Sequence, residues 1–252
     1  MTSVIAFANQ KGGVAKTTTV HSLGDALTEM GRAVLLVDLD PQACLTYAMG
    51  VDASELDATL HDVFAGRISV TSIVIENEDG PDLLPSSIDL AGAEVHLLTK
   101  TGREFVLTKA LKPLLGSYSH ILIDCGPSLG ILTINGLTAA DWVVIPFQCD
   151  TLSHRGVRQL LETVDDVRSF TNEELGVLGG VATMFDGRTR LANEVLTTVE
   201  QDFDLTVLTP PIPKSVRAAE APGRARSVLK HARTSKPATA YRELARSLEK
   251  AL

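Results

Sequence analysis

The sequence predicts a single α/β domain in which helices cover both faces of a mostly parallel, twisted sheet. Three observations point there. Short, nearly continuous runs of leucine and β-branched residues recur along the chain, as strands buried on both faces require. Stretches with apolar residues at helical spacing separate them. The 252 residues are 44% hydrophobic and 21% charged, the make-up of a globular chain with a large core. No shift in composition marks a second domain, so residues 1–252 are expected to fold as one unit ending in a basic segment, 210–252.

The first strand is SVIAFAN (3–9), which runs into a glycine-rich turn; TTTVHSLGDALTEMG (17–31) then reads as a helix stopped by Gly31. AVLLVDLD (33–40), HILIDCGPS (120–128), WVVIPFQ (142–148), LGGVATMF (178–185) and LTVLT (205–209) read as further strands. Helices are expected over 153–170 and 189–203. Residues 51–115 show a turn at NEDGPD (77–82) and helical stretches without clear boundaries. Pro210, Pro211 and Pro213 mark a rigid loop before the basic segment. His21 and Trp142 read as packing residues.

The chemistry concentrates in NQKGGVAKTTT (9–19). The usual phosphate-loop pattern G-x-x-x-x-G-K-[ST], counted back from Lys16 and Thr17, wants glycine where this chain has Ala15 and Gln10. Its glycines are Gly12 and Gly13, behind an extra lysine, Lys11. A phosphate cradle needs consecutive backbone N–H groups turned inward at a helix N-terminus. Gly12 and Gly13 supply the freedom to wrap, Val14 and Ala15 lead into the helix, and a methyl group is tolerable at Ala15 if its φ is already negative there. On this logic the fold is a P-loop NTPase that binds ATP and Mg²⁺: Lys16 reaches the β- and γ-phosphates, Thr17 binds the metal and Thr18 contacts the α-phosphate. Asp124, closing the strand in ILIDCGPS, holds the metal directly or through water. Asp38 and Asp40 end the second strand on the edge where ligands bind in such sheets.

Charge is segregated. Residues 210–252 hold ten Lys or Arg against three Glu, an excess of +7, so the remainder carries −15 of the total −8. That asymmetry points to a polyanion met by the basic part. The three cysteines show no C-x-x-C pair, which favours a reducing compartment over a disulfide framework or zinc site. No apolar run approaches the roughly 20 residues of a membrane span, and no leader is evident.

QKGGVAKTTT, VDLDPQ, IDCGPSLGILTINGL, IPFQCDTLSHRG, FDGRT and IPKSVRAAEAP resemble, in order and spacing, the ParA/Soj partition ATPases of the deviant Walker A class, which also includes MinD. The resemblance runs from about residue 3 to 250. It implies that Lys11 reaches the nucleotide of a second subunit, that Gly12 lies where the two backbones approach, and that Asp40 positions the attacking water. It makes Asp124 the Walker B carboxylate and puts Pro213 and Ser215 near the base and sugar, although relatives usually have asparagine at the latter. It further implies a weak, Mg²⁺-dependent ATPase of the cytoplasm and nucleoid that forms an ATP-dependent homodimer. Such a dimer binds double-stranded DNA without sequence preference, and a ParB-type centromere-binding protein stimulates its hydrolysis and release.

Arg188 and Arg217 match DNA-binding positions of relatives; Lys214, Arg224, Arg226 and Lys230 are expected to join them, with Asp186 the local competitor for Arg188. Gly126 stands where the family often has proline. Other readings are a ParA-like ATPase positioning another cargo, and a MinD-like membrane ATPase using an amphipathic C-terminal helix. In YRELARSLEKAL (241–252), however, the mixed charges predict packing against the body, so no stable membrane association is expected. A small-molecule kinase or synthetase would need an acceptor pocket that the sequence does not display.

Overall fold

This computed structural model describes residues 2–151 and 153–252. Among them, β1 (Ser3–Phe7), β2 (Val34–Leu39), β3 (Asp82–Leu84), β4 (His120–Cys125), β5 (Trp142–Gln148) and β6 (Gly176–Thr183) form one sheet. Its order is β3-β2-β4-β1-β5-β6, with every pair parallel. Alternation along the strands divides the core in two. Val4 and Ala6 of β1 and Ile121 and Ile123 of β4 face one cluster, whereas Ile5, Phe7 and Leu122 face the other.

Two groups of helices cover these faces. α1 (Lys16–Glu29) and α2 (Cys44–Ala48) pack on the Ile5/Phe7 side. α3 (Leu60–Ala65), α4 (Leu90–Leu97), α5 (Val106–Leu111), α6 (Ile131–Ala139), α7 (Ser153–Phe170) and α8 (Arg190–Phe203) cover the opposite face. α9 (Val216–Glu220) is short and exposed, and α10 (Val228–His231) and α11 (Lys236–Ala251) return to the first side. The register aligns Phe7, Asp38 and Asp124 at the C-terminal ends of adjacent strands, so their following loops open on one edge.

The sequence reading needs two corrections. LTVLT (205–209) is not a strand. It makes a single parallel bridge, Gly180 to Val207, and the segment touches β6 again only when Ile212 N donates to Ala182 O at 2.8 Å. Pro210 and Pro211 have no N–H to donate, so the ladder cannot run through them. The edge strand β3 was not visible at all, because three residues are too few for an alternation to register.

α11 settles as its charges suggested. Tyr241, Leu244 and Leu248 are buried against α1, with the Tyr241 hydroxyl 3.2 Å from Thr19 Oγ1, while Ala251 is exposed. Arg242 forks onto Glu29 and Arg32 onto Glu249, fixing the helix at its flanks. Its apolar face is therefore occupied, and no helix among the described residues is long and apolar enough to cross a membrane. Truncating so large a fully buried ring costs about 3–5 kcal/mol. We expect Tyr241→Ala to lower the melting temperature by roughly 6–20 °C, and Tyr241→Phe, which loses one hydrogen bond, by only a few degrees. Calorimetry showing Tyr241→Ala melting with the wild type would mean that α11 is not part of the cooperative unit.

Candidate nucleotide site

The loop from β1 to α1 is pinned at both ends before any ligand arrives. Buried Asn9 donates through Nδ2 to Pro146 O at 2.8 Å and accepts Lys11 N on Oδ1 at 2.9 Å. Thr183 at the end of β6 donates its hydroxyl to Val14 O at 2.9 Å. Between these anchors Gly13 turns at φ +74° in open space, so its glycine answers a backbone need. Ala15 departs from the sequence reading. Its φ is +59°, in the left-handed region, where an L-residue loses roughly 1–2 kcal/mol. Its carbonyl accepts Thr19 N at 2.9 Å, so the first turn of α1 holds the strained residue in place. Ala43, ahead of α2, and Ala225 share this conformation, at φ 51° and 52°.

The three strand-end aspartates have different roles. Asp38, fully buried, accepts from both the N–H and the hydroxyl of Thr46 at 2.7 Å, so it organises the start of α2; burial pushes its pKa up to about 6. Asp40 is partly exposed and accepts Gln42 N at 3.0 Å. Gly126 crowds it so closely that a Cβ there would lie 3.3 Å from the Asp40 carboxyl carbon, which is why no bulkier residue fits without moving that carboxylate. Asp124 is 1% exposed, and neither of its oxygens has a hydrogen-bond partner. Burial and then Asp38 raise its pKa; Thr17 and Lys16 oppose the shift without coming into hydrogen-bonding geometry.

Lys16 is buried beside it. Its ammonium donates to Asn9 O at 3.0 Å and Lys11 O at 3.3 Å, with burial lowering its pKa against the pull of Asp124. Lys11, partly exposed at the mouth of the loop, is ion-paired with Asp150 beyond β5. The site thus offers a turned loop, a helix N-terminus, a desolvated lysine and a carboxylate with free lone pairs. That donor set suits a hydrated divalent cation beside bound phosphate, which needs only one or two protein ligands; Thr17 and Asp124 could supply them. Among the described residues no group of three or more His, Cys, Asp or Glu could hold a metal unaided.

A cavity of about 970 Å³ opens beside Thr17 and Thr18, walled by Gln42, Tyr47 and residues 222–225. Pro213 and Ser215 do not line it: Pro213 bridges to Phe185, and Ser215 precedes α9 without capping it through its side chain. Of the basic residues, Arg188 is 90% exposed but forks onto Asp186 at 2.9 and 2.7 Å, as its local competitor suggested. The Arg188 hydrogen bonds, with a smaller contribution from the field of nearby Lys214, hold the Asp186 carboxyl down to about 2, and exposed Arg217 follows on α9. Arg224 is on the cavity wall by Thr17, and Arg226 is exposed beyond it. Lys230 is partly exposed, but its ammonium lies 3.1 Å from buried Asp25, an ion pair not aligned as a hydrogen bond. Asn9, Thr183 and Asp150 escaped the sequence reading, because nothing local to them signals contact with a loop so distant in the chain.

Comparison with known proteins gives consistent matches. A family model described as an AAA domain matches residues 2–177. The sporulation initiation inhibitor protein Soj of Bacillus subtilis is 40% identical over 98% of this chain and 98% of its own. The chromosome partitioning protein ParA of Caulobacter vibrioides is 40% identical over 97% and 93%. Among solved structures, a Mycobacterium smegmatis protein described as cobyrinic acid a,c-diamide synthase, with bound ADP and magnesium, superposes with a TM-score of 0.89 at 49% identity, covering 99% of this chain and 95% of that one. The septum site-determining protein MinD of Pyrococcus horikoshii, complexed with Mg-ADP, gives 0.81 at 26% identity over 99% and 97%.

Asp124 generates a pH-dependent expectation. A carboxyl whose folded pKa lies above its unfolded value takes stability away as pH rises through the interval between the two. Asp124→Asn should therefore raise the melting temperature of the ligand-free protein by a few degrees at about pH 8, less at about pH 5, and lose the added stabilisation by Mg-ADP. A variant no more stable than wild type at the higher pH would show that the carboxylate has a partner after all.

Proposed function

From the premise that this chain belongs to the ParA/Soj family of the ParA/MinD superfamily, we propose that it is an ATP-dependent partition ATPase using Mg²⁺. The carrying observation is the pairing of a buried, unsatisfied Asp124 with a desolvated Lys16 under a phosphate-shaped loop. Phosphoryl transfer depends on positioning and charge stabilisation more than on covalent help from the protein. Lys16 and the N-terminal amides of α1 hold the β- and γ-phosphates, Thr17 and Asp124 hold the metal, and Thr18 meets the α-phosphate. The metal, when bound, neutralises charge between the β- and γ-phosphates. Asp40, exposed enough to meet water and braced by Gln42 N, orients the nucleophile.

Lys11 is the residue that makes the site composite. In the single chain its charge is satisfied by Asp150, so it leaves that partner only for a stronger anion, the phosphates bound by a second copy. ATP then joins two subunits, and hydrolysis separates them. Pro213 and Ser215 would approach the base from outside the cavity beside Thr18. The dimer is proposed to bind DNA through Arg188, Lys214 and Arg217, with Arg224 and Arg226 adding to the field. Lys230 is committed to Asp25 and is the weakest member of the set. Arg188 gives up little by exchanging Asp186 for a phosphate, since solvent screens a fully exposed ion pair. A ParB-type protein is the proposed stimulator of hydrolysis, at the nucleoid.

ATP turnover with no acceptor molecule present separates this reading from a synthetase on the same loop. We expect wild type to hydrolyse ATP slowly and to retain DNA only with ATP. Asp40→Ala should retain DNA without turnover, Lys16→Ala should do neither, and Arg188→Ala should turn over ATP but release DNA. If two subunits together make about six phosphate contacts, DNA affinity falls roughly a thousandfold or more between about 50 and 200 mM salt. Filter binding and phosphate release check both, and an affinity flat across that salt range removes the DNA-binding surface from the account.

A further inference from the structure

We propose that the groove between α6 and α7 is a docking site for a basic, apolar-anchored segment of a partner protein, read out at the hydrolytic residues through loop 126–130. The inference rests on the partition-ATPase reading and gives its stimulating partner a surface. A cavity of about 510 Å³ lies there, with Phe105, Leu129, Ile134, Val167 and Phe170 in its lining. Phe170, at the C-terminal end of α7, is 81% exposed, an unusual position for a large aromatic ring with no function.

The walls are already fixed. Buried Asn135 of α6 accepts Leu107 N at 3.1 Å and donates to Arg103 O at 2.8 Å, tying α5 and its approach to α6. Asn172 donates to Ala140 O at 2.7 Å, and the Thr171 and Thr138 hydroxyls meet at 2.8 Å, locking the end of α7 to the end of α6. An occupant therefore meets a formed groove and loses little free energy in ordering it.

Charge selects the occupant. Glu162, Asp166 and Phe170 follow one another at i, i+4 and i+8, so two acids and the exposed ring share one stripe of α7. Glu173 and Glu174 extend the negative surface, and these four acids form no ion pair among the described residues. The nearby arginines are spent, Arg103 on Glu104 and Leu98 O, Arg168 on Asp165 and Leu175 O. Such a face repels nucleic acid and anionic lipid and attracts a cationic peptide with an apolar side chain for the groove.

The same groove reaches the site. Leu129 is in its lining, while Gly126 and Ser128, from the same loop, line a cavity of about 270 Å³ shared with Asp40. Thr133 of α6 donates to Ser128 O at 2.6 Å, so movement of α6 or Leu129 is carried to the backbone that packs on Asp40.

The test uses the full chain and a short synthetic amphipathic peptide of leucine and lysine carrying one phenylalanine, with a leucine and glutamate counterpart as control. Fluorescence anisotropy should show salt-sensitive binding of the lysine peptide, weakened about tenfold or more by Phe170→Ala and by Asp166→Lys, and no binding of the control. Bound peptide should slow amide exchange at 126–130 and change ATP turnover in wild type, while both variants, altered only at exposed positions, keep basal turnover and ATP-dependent DNA retention. Equal binding to wild type and variants, or protection that leaves 126–130 untouched, overturns the proposal. So does self-association of the peptide-free chain that Phe170→Ala abolishes, which would give the groove to a second copy. If wild type fails to hydrolyse ATP or hold DNA, the partition reading fails, and peptide binding still decides the groove separately.

Discussion

A carboxylate that the fold buries and then leaves without a donor governs this structure. Parallel pairing puts Asp38 and Asp124 side by side at the ends of β2 and β4, and burial there penalises two negative charges at once. Thr46 satisfies the first with two short hydrogen bonds; nothing does so for the second. Lys16 supplies one buried positive charge but spends its hydrogen bonds on the carbonyls of Asn9 and Lys11. The ligand-free chain is thus electrostatically incomplete at one point, beside a loop shaped for phosphate. The proposed divalent cation at Asp124 would supply the missing positive charge, and bound phosphates would supply the anion for Lys16 and the start of α1.

The loop is strained in the same place. Ala15 takes a backbone conformation that the usual pattern reserves for glycine, and the anchors at Asn9 and Thr183 keep it there. Lys11 extends this logic outward. Its N–H is bound by Asn9, its carbonyl by Lys16 and its side chain by Asp150, so its backbone belongs to the local site while its charge is held only by an exchangeable ion pair. That division suits a residue whose side chain is proposed to serve a neighbour. Arg188, forked onto Asp186 at the surface, shows the same arrangement at a second proposed contact.

Most of the sheet was legible in the sequence because buried parallel strands write themselves as continuous apolar runs; β1, β2, β4, β5 and β6 all fall where such runs occur. The phosphate loop was legible because its lysine, threonine and glycines are adjacent in sequence. What stayed hidden depends on contacts or backbone angles that composition does not record. LTVLT has strand-forming residues, yet the prolines after it interrupt the ladder. Ala15 could not disclose its φ. The partners of Lys11 and Lys230 lie far away in the chain, at Asp150 and Asp25, so the first looked free to cross and the second free to meet DNA.

Lys11 is proposed to exchange Asp150 for the phosphates of a second subunit. A crystal structure of the protein with a non-hydrolysable ATP analogue and Mg²⁺ tests this most directly. The expected result is two chains face to face over two nucleotides, with each Lys11 withdrawn from Asp150 and placed on its neighbour's phosphates. A lone chain holding nucleotide and metal, with Lys11 still paired to Asp150, would contradict it.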